Sequence, residues 1–223
     1  MAGKSLKTLA DQVWKNHGVT LIPTFDNSVE AGTVLGRLDW NNINVIGHLS
    51  NTSAGGALPE VQGPKSCMLA DFKRSHELNV GAAVSLLRAP AKIGAKLQRV
   101  TDVAVSFDSP VTYTMDLLRL EDVVEQQPGS FWATALGQRL RTDNKTRVVY
   151  QVIRGRISFL FRGSGGVGVD LQADKLSDLG NVGLSAGWKW RNEATLESKH
   201  EVVLAVDYAW YDWKKRRFRE DKR

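Results

Sequence analysis

The sequence predicts an α+β protein: a twisted, mainly antiparallel sheet with an N-terminal amphipathic helix and two short central helices. Three observations carry that prediction. Residues 78–117 and 148–190 alternate apolar with small or polar residues, the period-two signature of strands with unlike faces. Residues 34–40 and 43–49 read as strands joined through Asn41 and Asn42, residues able to take the positive φ of a hairpin turn. Residues 117–140 break the strand pattern with two helical segments separated by Pro128 and Gly129.

Taken in order, residues 4–16 place Leu6, Leu9, Ala10 and Val13 on one side of a helix, with Lys4, Lys7, Asp11 and Lys15 largely opposite. Gly18 closes this helix, and a short extended segment at 19–22 is interrupted by Pro23. Gly32 precedes the hairpin, whose exposed tip is Trp40. Residues 50–66, rich in Asn, Ser, Gly and Pro, read as a long surface loop. An alternating run follows at 78–87, and Pro90 and Gly94 argue against a long helix at 88–97. Val103, Val105 and Phe107 then alternate with Ala104, Ser106 and Asp108, and the pattern resumes after Pro110 as far as Leu117. Helices are expected at 117–125 and 130–140, the second capped by Ser130. Strands resume at Val148, recur at 157–161, 167–171 and 182–190, and end with 202–210.

An ordinary sheet with one face on a core and one in water gives the same alternation. It also suits membrane-crossing β-hairpins, which need strands of about 9–11 residues. No run approaches the roughly 20 apolar residues of a spanning helix. The N-terminus lacks the hydrophobic region of a secretory signal, so the expected species is soluble and cytoplasmic.

With 223 residues the chain is expected to be a single domain over 1–213, followed by a basic, mobile tail at 214–223. The formal net charge is +6, yet the last ten residues alone hold seven cations against two acids. The body is therefore almost neutral, unlike a typical duplex-binding domain. Cys67 is the one cysteine and cannot form a disulfide within the chain.

His17, His48, His76 and His200 show no metal-ligand spacing, and no metal or cofactor is expected. Gly163, Gly165 and Gly168 match a dinucleotide-binding spacing, but the alternation after them is that of a strand, not of the helix such a motif must open. The sequence offers no positive case for an enzyme. The last segment interleaves Tyr208, Trp210, Tyr211 and Trp213 with Lys214, Lys215, Arg216 and Arg217. That cluster suits an anionic membrane interface or nucleic-acid stacking, and equally a last strand whose aromatics simply pack.

The order of these elements resembles the pore-forming N-terminal domain of the gasdermins. The motif Gly18, Leu21, Ile22, Pro23 is similar to the segment that opens many gasdermin sheets. A hairpin with an aromatic tip, an alternating stretch, two helices about Pro128, the strand from Val148 to Ile153, a glycine-rich stretch and a closing strand follow in the same order.

The resemblance implies oligomerisation on acidic lipids of the inner or plasma membrane. Two regions, about 78–117 and 153–206, would insert as hairpins, and permeabilisation or cell death, as in bacterial defence, would follow. It assigns lipid contacts to Lys4, Lys7, Lys15 and Trp40. The active state would be a homo-oligomer, controlled by residues 208–223 or by a separate inhibitor or activator protein. The sequence lacks the large inhibitory domain of animal gasdermins, and Cys67 does not stand where bacterial members carry a lipidated cysteine. The alternative is a soluble nucleic-acid-binding or self-assembling structural module that uses the aromatic and basic C-terminal segment.

Overall fold

Strand β6 (Arg147–Gly163) runs for 17 residues, and four other strands hydrogen-bond to it. The computed structural model describes residues 19–21, 28–39, 42–51, 58–67, 100–163, 184–190 and 193–220. Within them lie β1 (Thr20–Leu21), β2 (Thr33–Asp39), β3 (Asn42–His48), a 3-10 turn at Leu49–Asn51, β4 (Gln62–Ser66) and β5 (Val100–Thr114). Three helices follow, α1 (Leu117–Glu125), α2 (Gly129–Ala133) and α3 (Ala135–Thr142). After β6 come β7 (Leu184–Trp190), β8 (Glu193–Ser198), β9 (Val202–Asp212) and β10 (Arg217–Glu220).

The ten described strands form one sheet with the path β1-β9-β6-β2-β3. Strand β10 pairs with β9, β4 pairs with β5, β5 and β8 pair with β6, and β7 pairs with β8. The pairs β2–β3, β2–β6, β6–β8, β7–β8 and β9–β10 are antiparallel, so the mainly antiparallel α+β architecture is the one the alternation predicts.

The chain divides into two compact units. The first comprises Met1–Asp26, Ser66–Pro110 and Arg154–Leu204. Here β6 meets β8 in a register of Ser158 against Glu197 through Arg162 against Glu193. Ile157 N donates to Ser198 Oγ at 3.1 Å, and the hydroxyls of Ser106 and Ser158 lie 2.9 Å apart. Gly155 lets the strands close up, since a Cβ there would come within 3.0 Å of Asp108 O and 2.9 Å of a Leu204 methyl.

The second unit comprises Asn27–Lys65, Val111–Ile153 and Ala205–Arg223 and holds a core built on Val34, Leu120, Val124, Phe131, Val148 and Tyr211. Helix α1 starts where the Asp116 carboxylate accepts from Leu118 N at 2.9 Å and Arg119 N at 3.4 Å. It buries Leu120 and Val124, each contributing roughly 1.5–3 kcal/mol.

The expected helix 130–140 is instead two, broken at Thr134, which takes an extended ψ of 159°. Its hydroxyl donates to Phe131 O at 2.6 Å and accepts from Gly137 N at 3.1 Å, so one side chain ends α2 and caps α3. The α2 cap position is Pro128 rather than Ser130.

Two further expectations are corrected. The region 50–66, read as loop, contains β4. This strand pairs with β5 and all five of its residues are exposed, so no burial periodicity betrays it. The charge run predicts a mobile tail from residue 214, but Arg217–Glu220 is β10, paired with β9 and held by buried Phe218. Residues 4–16, 40–41, 78–99 and 164–183 lie outside the described residues, and so do the readings made for them.

Gly137 gives the fold a direct test. Alanine is the better helix former by about 1 kcal/mol. Its Cβ, however, would sit 2.3 Å from Phe131 O and 2.8 Å from Trp132 Cα, both backbone atoms. The overlap outweighs propensity, and Gly137→Ala is expected to lose about 1–3 kcal/mol in urea unfolding with an unchanged slope.

Candidate functional site

The aromatic and basic segment at the end of the chain folds as the β9–β10 hairpin, with Phe218 facing Tyr211 and Arg219 facing Trp210 across the strands. Tyr208, Tyr211 and Phe218 are buried, while Trp210 and Trp213, towards the end of the hairpin, are partly exposed. The turn between the strands is built by Asp212, whose Oδ1 accepts from Lys214 N at 3.1 Å and Lys215 N at 3.3 Å. Its Oδ2 pairs with Arg219 Nε at 2.9 Å. Arg216 closes the turn at φ 48°, a left-handed conformation that costs an L-residue roughly 1–2 kcal/mol.

An aromatic chain attaches the hairpin to the helices. Tyr211 and Phe218 meet edge to face at 5.2 Å, and Trp132 of α2 stacks on Tyr211 at 6.3 Å. Trp132 also meets Trp213 edge to face at 4.7 Å, and the Arg141 guanidinium of α3 lies 4.9 Å from the centre of the Trp213 ring. Arg219 lies over Trp210 at 5.6 Å. From α1, the Glu121 carboxylate accepts from Phe218 N at 2.6 Å.

Beside this chain the Tyr150 hydroxyl donates to the Asp207 carboxylate and lies 3.3 Å from Glu220 Oε1. Burial, the Asp207 hydrogen bond and the two negative charges push its pKa well above that of free tyrosine. Tyr211 is pushed up to about 12, by burial first and then by Glu125, with Arg216 acting in the opposite direction.

Lys214, Lys215, Arg216 and Arg217 are all exposed and form no side-chain ion pair among the described residues. The structure thus gathers six predicted site residues, Trp210, Trp213 and these four cations, in one hairpin. Lys4, Lys7, Lys15 and Trp40 lie outside the described residues. Trp132, Arg141 and Tyr150 were not read from the sequence, because only tertiary packing brings them to the hairpin.

Other candidate chemistry is structural. His48 Nδ1 accepts from Ser50 N at 3.1 Å, and Nε2 lies 3.0 Å from Ala31 O, in the space left by Gly32 at φ 95°. Among the described residues no group of three or more His, Cys, Asp or Glu side chains could hold a metal ion. Residues 183–187 have the Gly-x-Ser-x-Gly spacing of a nucleophile elbow. Ser185, however, lies inside β7 opposite Glu197 of β8, not at the strand-to-helix turn that motif requires. No described helix is long and apolar enough to cross a membrane.

The fold is gasdermin-like. The chain is similar to the structure of a bacterial gasdermin from Bradyrhizobium tropiciagri, with a TM-score of 0.54 over 94% of this chain and 89% of that one, at 14% sequence identity. No protein-family profile and no curated protein matches the sequence.

The two tyrosines set an alkaline limit on stability. Above pH about 10 the unfolded chain releases phenolic protons that the folded chain keeps, so stability falls as pH rises toward 12. Urea midpoints measured across that window are expected to decline. Tyrosinate absorbance should show a late-ionising component that shrinks in Tyr150→Phe; a single titration near 10 with no late component would contradict this.

Proposed function

We propose that this protein forms membrane pores: it oligomerises on acidic lipid and inserts two β-hairpin regions, about 78–117 and 153–206. The gasdermin-like fold over nearly the whole chain is the observation that carries this reading. Strands β5 and β6, at 15 and 17 residues, each exceed the roughly 9–11 residues that cross a bilayer. In a closed barrel every strand edge is paired, so no backbone group is left unsatisfied in lipid.

The division of the chain is favourable to such a change. The first compact unit holds Ser66–Pro110 and Arg154–Leu204, close to the two proposed inserting regions. Leu120, Val124, Phe131, Val148 and Tyr211 lie outside both regions and only Met115 of their cluster falls within one, so most of that core can persist while they refold. In this reading Lys4, Lys7, Lys15 and Trp40 meet the lipid first. The protein is cytoplasmic until triggered, by a partner or by release of the C-terminal segment, and its action at the inner membrane kills or permeabilises the cell.

Dye release from vesicles tests this. The full chain, as purified or after limited proteolysis, is expected to empty vesicles containing phosphatidylglycerol and to spare those of phosphatidylcholine alone. Absence of leakage in both conditions would overturn the proposal.

A further inference from the structure

We infer that the turn of the β9–β10 hairpin, together with Trp213 and Arg141, is a docking surface for the anionic face of a lipid bilayer. The inference rests on the reading that the chain acts at a membrane, and it adds a contact separate from Lys4, Lys7, Lys15 and Trp40.

Charge is the first argument. Lys214, Lys215, Arg216 and Arg217 stand on consecutive positions, all exposed, with no ion pair among the described residues. The nearest acid in sequence, Asp212, is already engaged by two turn amides and by Arg219. Arg141 adds a fifth cation through its contact with Trp213. Three cations on one tight turn and a fourth at the start of β10 repel each other, and an anionic surface relieves that repulsion.

The turn conformation is the second argument. Arg216 sits at φ 48°, where glycine or asparagine would be relaxed. The chain holds a cation at a position whose geometry favours a different residue. Strain retained at an exposed position is a pointer to use rather than to stability.

The aromatic geometry favours a bilayer over nucleic acid. Base stacking needs a free ring face. Trp213 is covered by Arg141 and met by Trp132, and Trp210 lies under Arg219. A partly exposed indole flanked by cations still suits a membrane interface, where its amphipathic body needs no open face.

The test is binding of the full chain to vesicles of phosphatidylglycerol with phosphatidylcholine, measured by flotation at low and high salt. The variant Lys214→Gln/Lys215→Gln/Arg216→Asn is expected to bind roughly a hundredfold more weakly at low salt, about fivefold for each charge removed. High salt should shrink that difference. Its melting temperature should be unchanged or higher, because the strained position is relaxed and no ion pair is lost. Arg141→Gln should weaken binding by about fivefold, with Arg141→Lys closer to the parent.

Unchanged binding in the triple variant, with dye release intact, would overturn this inference and leave the pore proposal standing. A parent chain that neither binds anionic vesicles nor releases dye would overturn both. Weaker binding accompanied by a lower melting temperature would assign the turn a structural role and overturn the inference. Loss of oligonucleotide binding in the triple variant while vesicle binding is retained would do the same.

Discussion

Backbone hydrogen bonding along β6 is the constraint on which the rest of the structure depends. A 17-residue strand must satisfy both of its edges, and β2, β5, β8 and β9 do so at different points along it. In the second unit Val148 pairs with Val34 of β2. Residues 148–150 are all buried, so both faces of the strand are covered there. In the first unit Ser158 to Arg162 pair with β8, and Gly155 permits the close approach of β5 that larger residues would prevent. Strand β9 is buried without interruption from Val202 to Val206, as befits a strand flanked on both sides.

The same strand contributes residues to both units. Its first residues belong to the unit that holds the helices and the aromatic core, and its last residues to the unit in which it pairs with β8. Strand pairs are held by directional bonds that any register-compatible partner can replace, whereas a core of Leu120, Phe131 and Tyr211 is held by shape. A protein that exchanges its strand partners for those of a neighbouring copy can do so without dismantling such a core. That distribution is what makes pore formation by the 78–117 and 153–206 regions physically reasonable.

Much of the fold was legible in the sequence, and the exceptions have physical causes. Period-two alternation marked β5, β6 and β7, the Asn41–Asn42 turn marked β2 and β3, and β9 was read as a closing apolar run. Strand β4 was illegible because it buries nothing: Gln62, Pro64 and Lys65 are all exposed and carry no pattern. Strand β10 was hidden in a charge run, with Phe218 its single buried side chain. The break at Thr134 depends on one hydroxyl reaching a carbonyl three residues back, beyond what helical periodicity encodes. The candidate site was half legible. Composition singled out Trp213 and the four cations of residues 214–217, but Trp132 and Arg141 join them only through packing between distant segments.

Hydrogen–deuterium exchange of the full chain, in solution and bound to anionic vesicles, tests the central claim most directly. The account predicts that amides in 120–150 and 205–220 keep their protection on the vesicle, while those in 78–110 and 154–204 change theirs. Identical exchange in both states across 78–110 and 154–204, or loss of protection in the core around Leu120 and Tyr211, would contradict it.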